Sequence, residues 1–99
     1  MAELIFNEEE RNPALHDISR ALTQAGDIDG AIVVATLITN KTERGFALRD
    51  ISRVLTQAGN IERATAVATS IGDNGERERA LREISEACAR AHYPAIPGK

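Results

Sequence analysis

The sequence predicts an all-α chain built from stacked antiparallel helix pairs with a 33-residue period. Three observations carry that reading. Leu22-Thr23-Gln24-Ala25-Gly26 returns unchanged as Leu55-Thr56-Gln57-Ala58-Gly59, and a gapless overlay of residues 14–46 on 47–79 matches 19 of 33 positions. Within each copy apolar residues recur three and four apart, the spacing of an amphipathic helix. Glycine stands where each first helix ends, free to enter left-handed backbone space (Gly26, Gly59). A single helix pair of this size cannot bury its own apolar stripe, so such copies stabilise one another by stacking.

The elements follow in order. Residues 2–11 read as part of a copy, because Ala2, Leu4, Ile5, Glu10 and Arg11 share columns with Ala35, Leu37, Ile38, Glu43 and Arg44. The first full copy spans 14–46. Its first helix carries Leu15, Ile18, Leu22 and Ala25, and its second carries Ile28, Ala31, Val34, Ala35 and Ile38. The second copy, 47–79, places Ile61, Ala64, Val67, Ala68 and Ile71 in the matching columns. Small residues there let paired helices approach closely. The β-branched run Ile32-Val33-Val34 would suit a strand, but its counterpart Thr65-Ala66-Val67 would not, so helix is predicted for both. A half copy spans 80–93, and 94–99 is a proline-bearing tail. The whole of 1–99 reads as one domain.

Helix starts are marked by Asn40 with Glu43 and Asp73 with Glu76, the spacing of a capping box. Asn7 and Glu10 share that spacing, but Pro13 would interrupt a helix begun there. The first helix is therefore placed with Asn12 as its cap and Pro13 at its first position.

Composition narrows the function classes. Aromatic residues are only 3% of the chain, so the core must be aliphatic, which suits tight helix packing better than a ring-lined ligand cavity. A net charge of −3 gives no global attraction to nucleic acid or anionic lipid. One cysteine forms no internal disulfide, and the first residues lack a basic segment followed by a long apolar run. The longest apolar stretch, Ala31 to Ala35, is far too short to span a bilayer. The expectation is a cytoplasmic protein with no membrane partner.

A helix ending in Ala-Gly-Asp-Ile, followed by a helix with small residues one turn apart, resembles the tetratricopeptide repeat. The matching residues are Leu15, Ile18, Ser19, Leu22, Gly26, Ile28, Ala31 and Ala35, then Leu48, Ile51, Ser52, Leu55, Gly59, Ile61, Ala64 and Ala68. The resemblance covers residues 12–93. It departs from the family in a period one residue short, in small aliphatics replacing aromatic knobs, and in lacking the proline between copies. It implies a right-handed α-α superhelix whose first helices line a concave face. It also implies a scaffold that binds proteins or peptides and is not an enzyme.

On that face the candidate partner-binding residues are His16, Arg20, Gln24, Arg49, Arg53, Gln57 and Arg82, with Thr23, Thr56 and Arg90 also expected toward solvent. Two readings of the arginines stand side by side. They form a locally cationic groove that forks onto the carboxylates of an acidic peptide, or they are exposed helix pairs with Asp17 and Asp50 three residues earlier. Glu10-Arg11, Glu43-Arg44 and Glu76-Arg77 read either as a ladder between copies or as local caps. Cys88, in the column of Leu22 and Leu55, reads as a small buried hydrophobe.

Neither His16 with His92 nor the aspartates at 27–29 and 73 complete a metal-ligand set, and the aspartates read as turns. No catalytic, cofactor or metal site is expected. Nucleic-acid binding is disfavoured by the acidic balance, the few copies and the absence of an aromatic residue on the expected groove. Ile32, Val33 and Leu37 face Thr65, Ala66 and Ser70 in the second copy, so the first is greasier there. Either residues 2–6 fold back over this patch, or it is the contact of a homodimer. A structural role, as a self-associating spacer or a piece of a longer repeat array, is the alternative to a binding module.

Overall fold

The computed structural model describes residues 8–91. The expectations for the partial copy before residue 8, for a fold-back of residues 2–6, for Asn7 and for everything from His92 through the tail lie outside them. The described residues form five helices and no strand: α1 (Glu8–Gln24), α2 (Ile28–Thr36), α3 (Lys41–Gln57), α4 (Ile61–Thr69) and α5 (Asn74–Ala91). The fold is all-α. The run Ile32-Val33-Val34 is helical within α2.

The helix ends repeat at the 33-residue offset because the same local chemistry sets them. At the end of α1, Gly26 has φ +92°, with its N–H donating to Thr23 O and the Asp27 N–H to Leu22 O. Gly59, at φ +86°, and Asn60 make the same pair of bonds to Thr56 and Leu55. These are Schellman closures, which need a residue that tolerates positive φ. The next residue serves twice: Asp27 and Asn60 then cap α2 and α4 by accepting from the N–H of Gly30 and Arg63. They are caps, not mere turns. Gly59→Ala should cost about 1 kcal/mol, read as a lowered urea midpoint at unchanged slope, because alanine is strained in this conformation.

Asn40 caps α3 by accepting from the Glu43 N–H at 2.9 Å, as the capping spacing predicts. Asp73 does the same for α5 through the Glu76 N–H at 2.9 Å and also accepts from the Thr42 hydroxyl at 3.1 Å. The Glu76 N–H holds the Asp73 carboxyl below the usual aspartate value, against a smaller opposing push from burial, with Thr42, the Gly75 N–H and Lys41 adding to it. A depressed folded-state value gives stability that is present above the unfolded value and lost as pH falls through the folded one. The stability gap between the parent and Asp73→Ala should therefore close as pH drops below about 4. Urea midpoints at pH 6 and pH 3 measure it.

One helix start is corrected. Asn12 is not a cap and Pro13 is not at a first position: α1 begins at Glu8 and runs through Pro13. The proline lacks an N–H to donate to Glu9 O, near the helix start where one missing bond is tolerated. Asn12 instead is buried, donating to Thr39 Oγ1 at 3.1 Å and accepting from the Thr39 N–H at 3.2 Å. It ties α1 to the connection between α2 and α3.

Packing runs from neighbour to neighbour. α1 packs on α2 and α3, α2 on α3, α3 on α4 and α5, and α4 on α5. The core is the aliphatic set expected, centred on Ile38, Ile51 and Ile71, with Ala31, Ala35, Ala64 and Ala68 at no exposure where paired helices meet. Cys88 is a buried member of it. Gly45 marks the closest approach of α3 to α5, where a Cβ would stand 3.0 Å from Glu76 Cβ. Ser19 and Ser52 are buried yet satisfied, each donating across its helix pair to Ala31 O or Ala64 O at 3.1 and 3.3 Å.

Candidate interaction surface

The outward faces of the long helices form a trough lined at matching positions in two places, with Glu86 in the second where the first has Arg53. Between α1 and α3 a groove of about 260 Å³ is lined by Arg20, Thr23, Gln24, Asp50, Arg53 and Val54. Between α3 and α5 a groove of about 210 Å³ has Arg53, Thr56, Gln57, Glu83, Glu86 and Ala87 at the matching positions, with Ser52 and Arg90 added. The structure thus gathers Arg20, Gln24, Arg53 and Gln57 of the expected set. His16 and Arg49 lie outside both grooves, and Arg82 lines a separate polar depression with Arg49, Arg79, Glu83 and Glu86.

Two threonines expected toward solvent are buried instead. Thr23 and Thr56 turn their hydroxyls onto Ser19 O and Ser52 O, four residues back, at 2.7 and 2.8 Å. A hydroxyl satisfied by its own helix can face a packed neighbour, so only the polar label of threonine suggested otherwise.

The arginines are matched by carboxylates of the next long helix. Arg20 lies 3.8 Å from Asp50, and Arg53, 33 residues on, lies 3.4 Å from Glu83. The helix pair Asp50–Arg53 is also present at 3.8 Å, and His16 Nε2 meets Asp50 Oδ2 at 3.3 Å. Arg49 is the most committed: it donates to Glu76 at 3.0 Å with both side chains largely buried. Exposure divides the roles. The Arg20 and Arg53 side chains are 56% and 44% exposed, against 25% for Asp50 and 37% for Glu83. Asp50 and Glu83 lie lower, and the guanidiniums of Arg20 and Arg53 rise beside them. Contacts beyond 3.3 Å use few of the five N–H donors each guanidinium carries, so most stay open to an approaching acceptor. Gln24 and Gln57 are exposed beside them.

Of the glutamate-arginine pairs at the helix starts, two have an arginine that acts locally. Arg44 and Arg77 reach back to Ile38 O and Ile71 O at 2.8 and 2.9 Å, closing the ends of α2 and α4. Glu76 links α5 to α3 through Arg49. Phe46 is 38% exposed and lines neither groove.

Of the greasy patch on α2, Val33 and Leu37 are 60% and 56% exposed, whereas Ile32 is partly buried against the core. Among the described residues no three His, Cys, Asp or Glu side chains converge to hold a metal ion, and no helix is long and apolar enough to cross a membrane.

No family model, curated protein or solved structure matches the chain. Its own geometry is what bears on function.

Proposed function

We propose that this protein is a non-enzymatic interaction module that binds an extended protein segment along the trough of its long helices. The observation that carries the reading is the recurrence of the groove: exposed arginine and glutamine stand at its rim twice, at the same positions 33 residues apart. A surface repeated at a fixed interval suits a ligand that is itself regular, and a polypeptide is one. Packed helices lie about 8–10 Å apart, and an extended chain rises about 3.3 Å per residue. One groove therefore meets every third residue of the ligand. The ligand we favour is acidic, because Arg20 and Arg53 stand more exposed than Asp50 and Glu83 beside them, although the exposed Glu86 takes the place of the second arginine in the groove between α3 and α5. The tetratricopeptide-like residues support the same reading, with the helix pairs arranged as a right-handed superhelix and the trough as its concave side.

The competing classes fit less well. Nucleic acid is disfavoured by the net charge of −3 and by groove linings that offer no aromatic side chain for a base to stack on. For catalysis, the hydroxyls that line the grooves are buried and committed to the backbone, Thr23 to Ser19 O, Ser52 to Ala64 O and Thr56 to Ser52 O. A cytoplasmic setting accords with the free buried Cys88.

The test is fluorescence anisotropy with a nine-residue peptide bearing glutamate at every third position, beside a glutamine version. The parent should bind the acidic peptide at least about tenfold more tightly, and Arg20→Glu/Arg53→Glu should lose that preference. Equal binding of both peptides by parent and variant would refute the acidic groove.

A further inference from the structure

The two ends of the helix stack are not equivalent, and the difference points to a partner. Ile18, Ile51 and Ile84 share one column of the 33-residue register. Ile84 is 6% exposed although no described helix follows α5, so its cover comes from α3 and α4 before it. Ile51 likewise has α1 and α2 before it and is 0% exposed. α1 has no described pair before it, and Ile18 is 48% exposed. Leu15 and Leu22 are only partly buried, whereas their counterparts Leu48 and Leu55 are 2% and 4% exposed. This edge presents the residues that the protein elsewhere covers with its own preceding pair.

The opposite edge presents the covering side. On α3 the residues turned to α5 include Gly45, Arg49, Ser52, Arg53 and Thr56. Their counterparts on α5 are Glu78, Arg82, Ser85, Glu86 and Ala89, all exposed. Within the chain, Arg49 approaches Glu83 across α3 and α5. Arg82 is the next arginine in that column, and Asp17 is the carboxylate in the column of Glu83 and Asp50. Both are exposed, and neither makes an ion pair among the described residues.

We propose that the partner of the α1 edge is a second copy of this chain, docked head to tail with its α5 on α1 in the register that joins α3 to α5. Ile18 is then covered by α5 as Ile84 is by α3, and Arg82 meets Asp17 of the neighbouring copy. Both edges are used by different residues, so the contact is heterologous and adds copies in a row instead of closing at two. The join is weaker than its internal counterpart for two reasons. No described short helix follows α5 to add the contact that α2 makes with α3. Glu86 also stands where α3 has Arg53, so it opposes the same Asp17 that attracts Arg82.

That sign reversal supplies a gain-of-function test that does not depend on the trough. Sedimentation equilibrium of the full chain from about 10 µM to about 1 mM should show a weight-average mass that rises past two copies. Glu86→Arg, which restores the arginine of the internal join, should tighten association about fivefold. Ile18→Asp should weaken it at least about tenfold, and Arg82→Glu should weaken it too. All three positions are exposed, and helical circular dichroism should be unchanged. An equimolar mixture of Ile18→Asp and Arg82→Glu keeps one sound edge on each chain and should form a mixed dimer that stops at two. A parent that stays monomeric throughout, with no response to Glu86→Arg, overturns the proposal. So does a dimer that saturates at two copies and is not restored in the mixture, which would mean α1 packs on α1.

Discussion

Ile51→Ala should destabilise the protein by about 3–4 kcal/mol, whereas Ile18→Ala, the same substitution in the same column, should cost less than about 0.5 kcal/mol. Ile51 is wholly buried at the centre of the stack, where α1, α2, α4 and α5 all reach α3. Removing three carbons there forfeits the transfer term and leaves a cavity that close-packed neighbours cannot fill. The alanines opposite, Ala31, Ala35, Ala64 and Ala68, have no larger rotamer to offer. Ile84, 6% exposed on α5, should fall between the two. Against a total stability of about 5–15 kcal/mol for a domain of this kind, the loss at Ile51 is a large fraction. Urea midpoints at constant slope read all three, at a concentration low enough to keep the chain monomeric. Equal losses at Ile18 and Ile51 would mean that α1 is covered as α3 is.

Arg49→Glu should have the second largest effect, a loss of about 2–3 kcal/mol at neutral pH and low salt. Its side chain is 20% exposed, and its partner Glu76 is 9% exposed at 3.0 Å, with Glu83 4.0 Å from Nε. Reversal would set three carboxylates together at a site with little water to screen them. Like charges raise carboxyl pKa values in the folded state, so the variant should regain part of its loss as pH falls toward 4. Arg49→Met should lose stability too, because it leaves Glu76 without its cation, and Arg49→Met/Glu76→Leu should recover much of the deficit. The double-mutant cycle of Arg49→Met, Glu76→Leu and the two combined isolates the pair. Arg49 is thus a joint between α3 and α5 and a poor probe of binding; Arg20 and Arg53, more exposed and more loosely held, are the informative sites.

Most of the helical architecture is legible in the residues because each helix end is written in local chemistry. Gly26 and Gly59 announce their closures, and Asn40 and Asp73 their caps. The start of α1 at Glu8 was missed. Pro13 obscured it, because proline near a helix start is tolerated at more than the first position. Thr23 and Thr56 were misread because burial of a hydroxyl depends on which carbonyl satisfies it, and Ser19 and Ser52 one turn earlier were the clue.

The site was legible only in part. Helical spacing set Arg20, Gln24, Arg53 and Gln57 on one face, but their carboxylate partners lie 30 positions away on another helix. Nothing in local spacing shows that Arg20 reaches Asp50 and not Asp17. The difference between Arg49, buried in its pair, and Arg53, still open, likewise comes from the depth of α5 against α3.

The central claim is that the trough binds an extended acidic segment, and amide chemical shifts recorded while the glutamate-every-third peptide is titrated in test it most directly. The account expects saturable shifts concentrated at Arg20, Gln24, Arg53, Gln57 and Ala87, absent with the glutamine peptide. Shifts centred on Val33 and Leu37, or none at millimolar peptide, would contradict it.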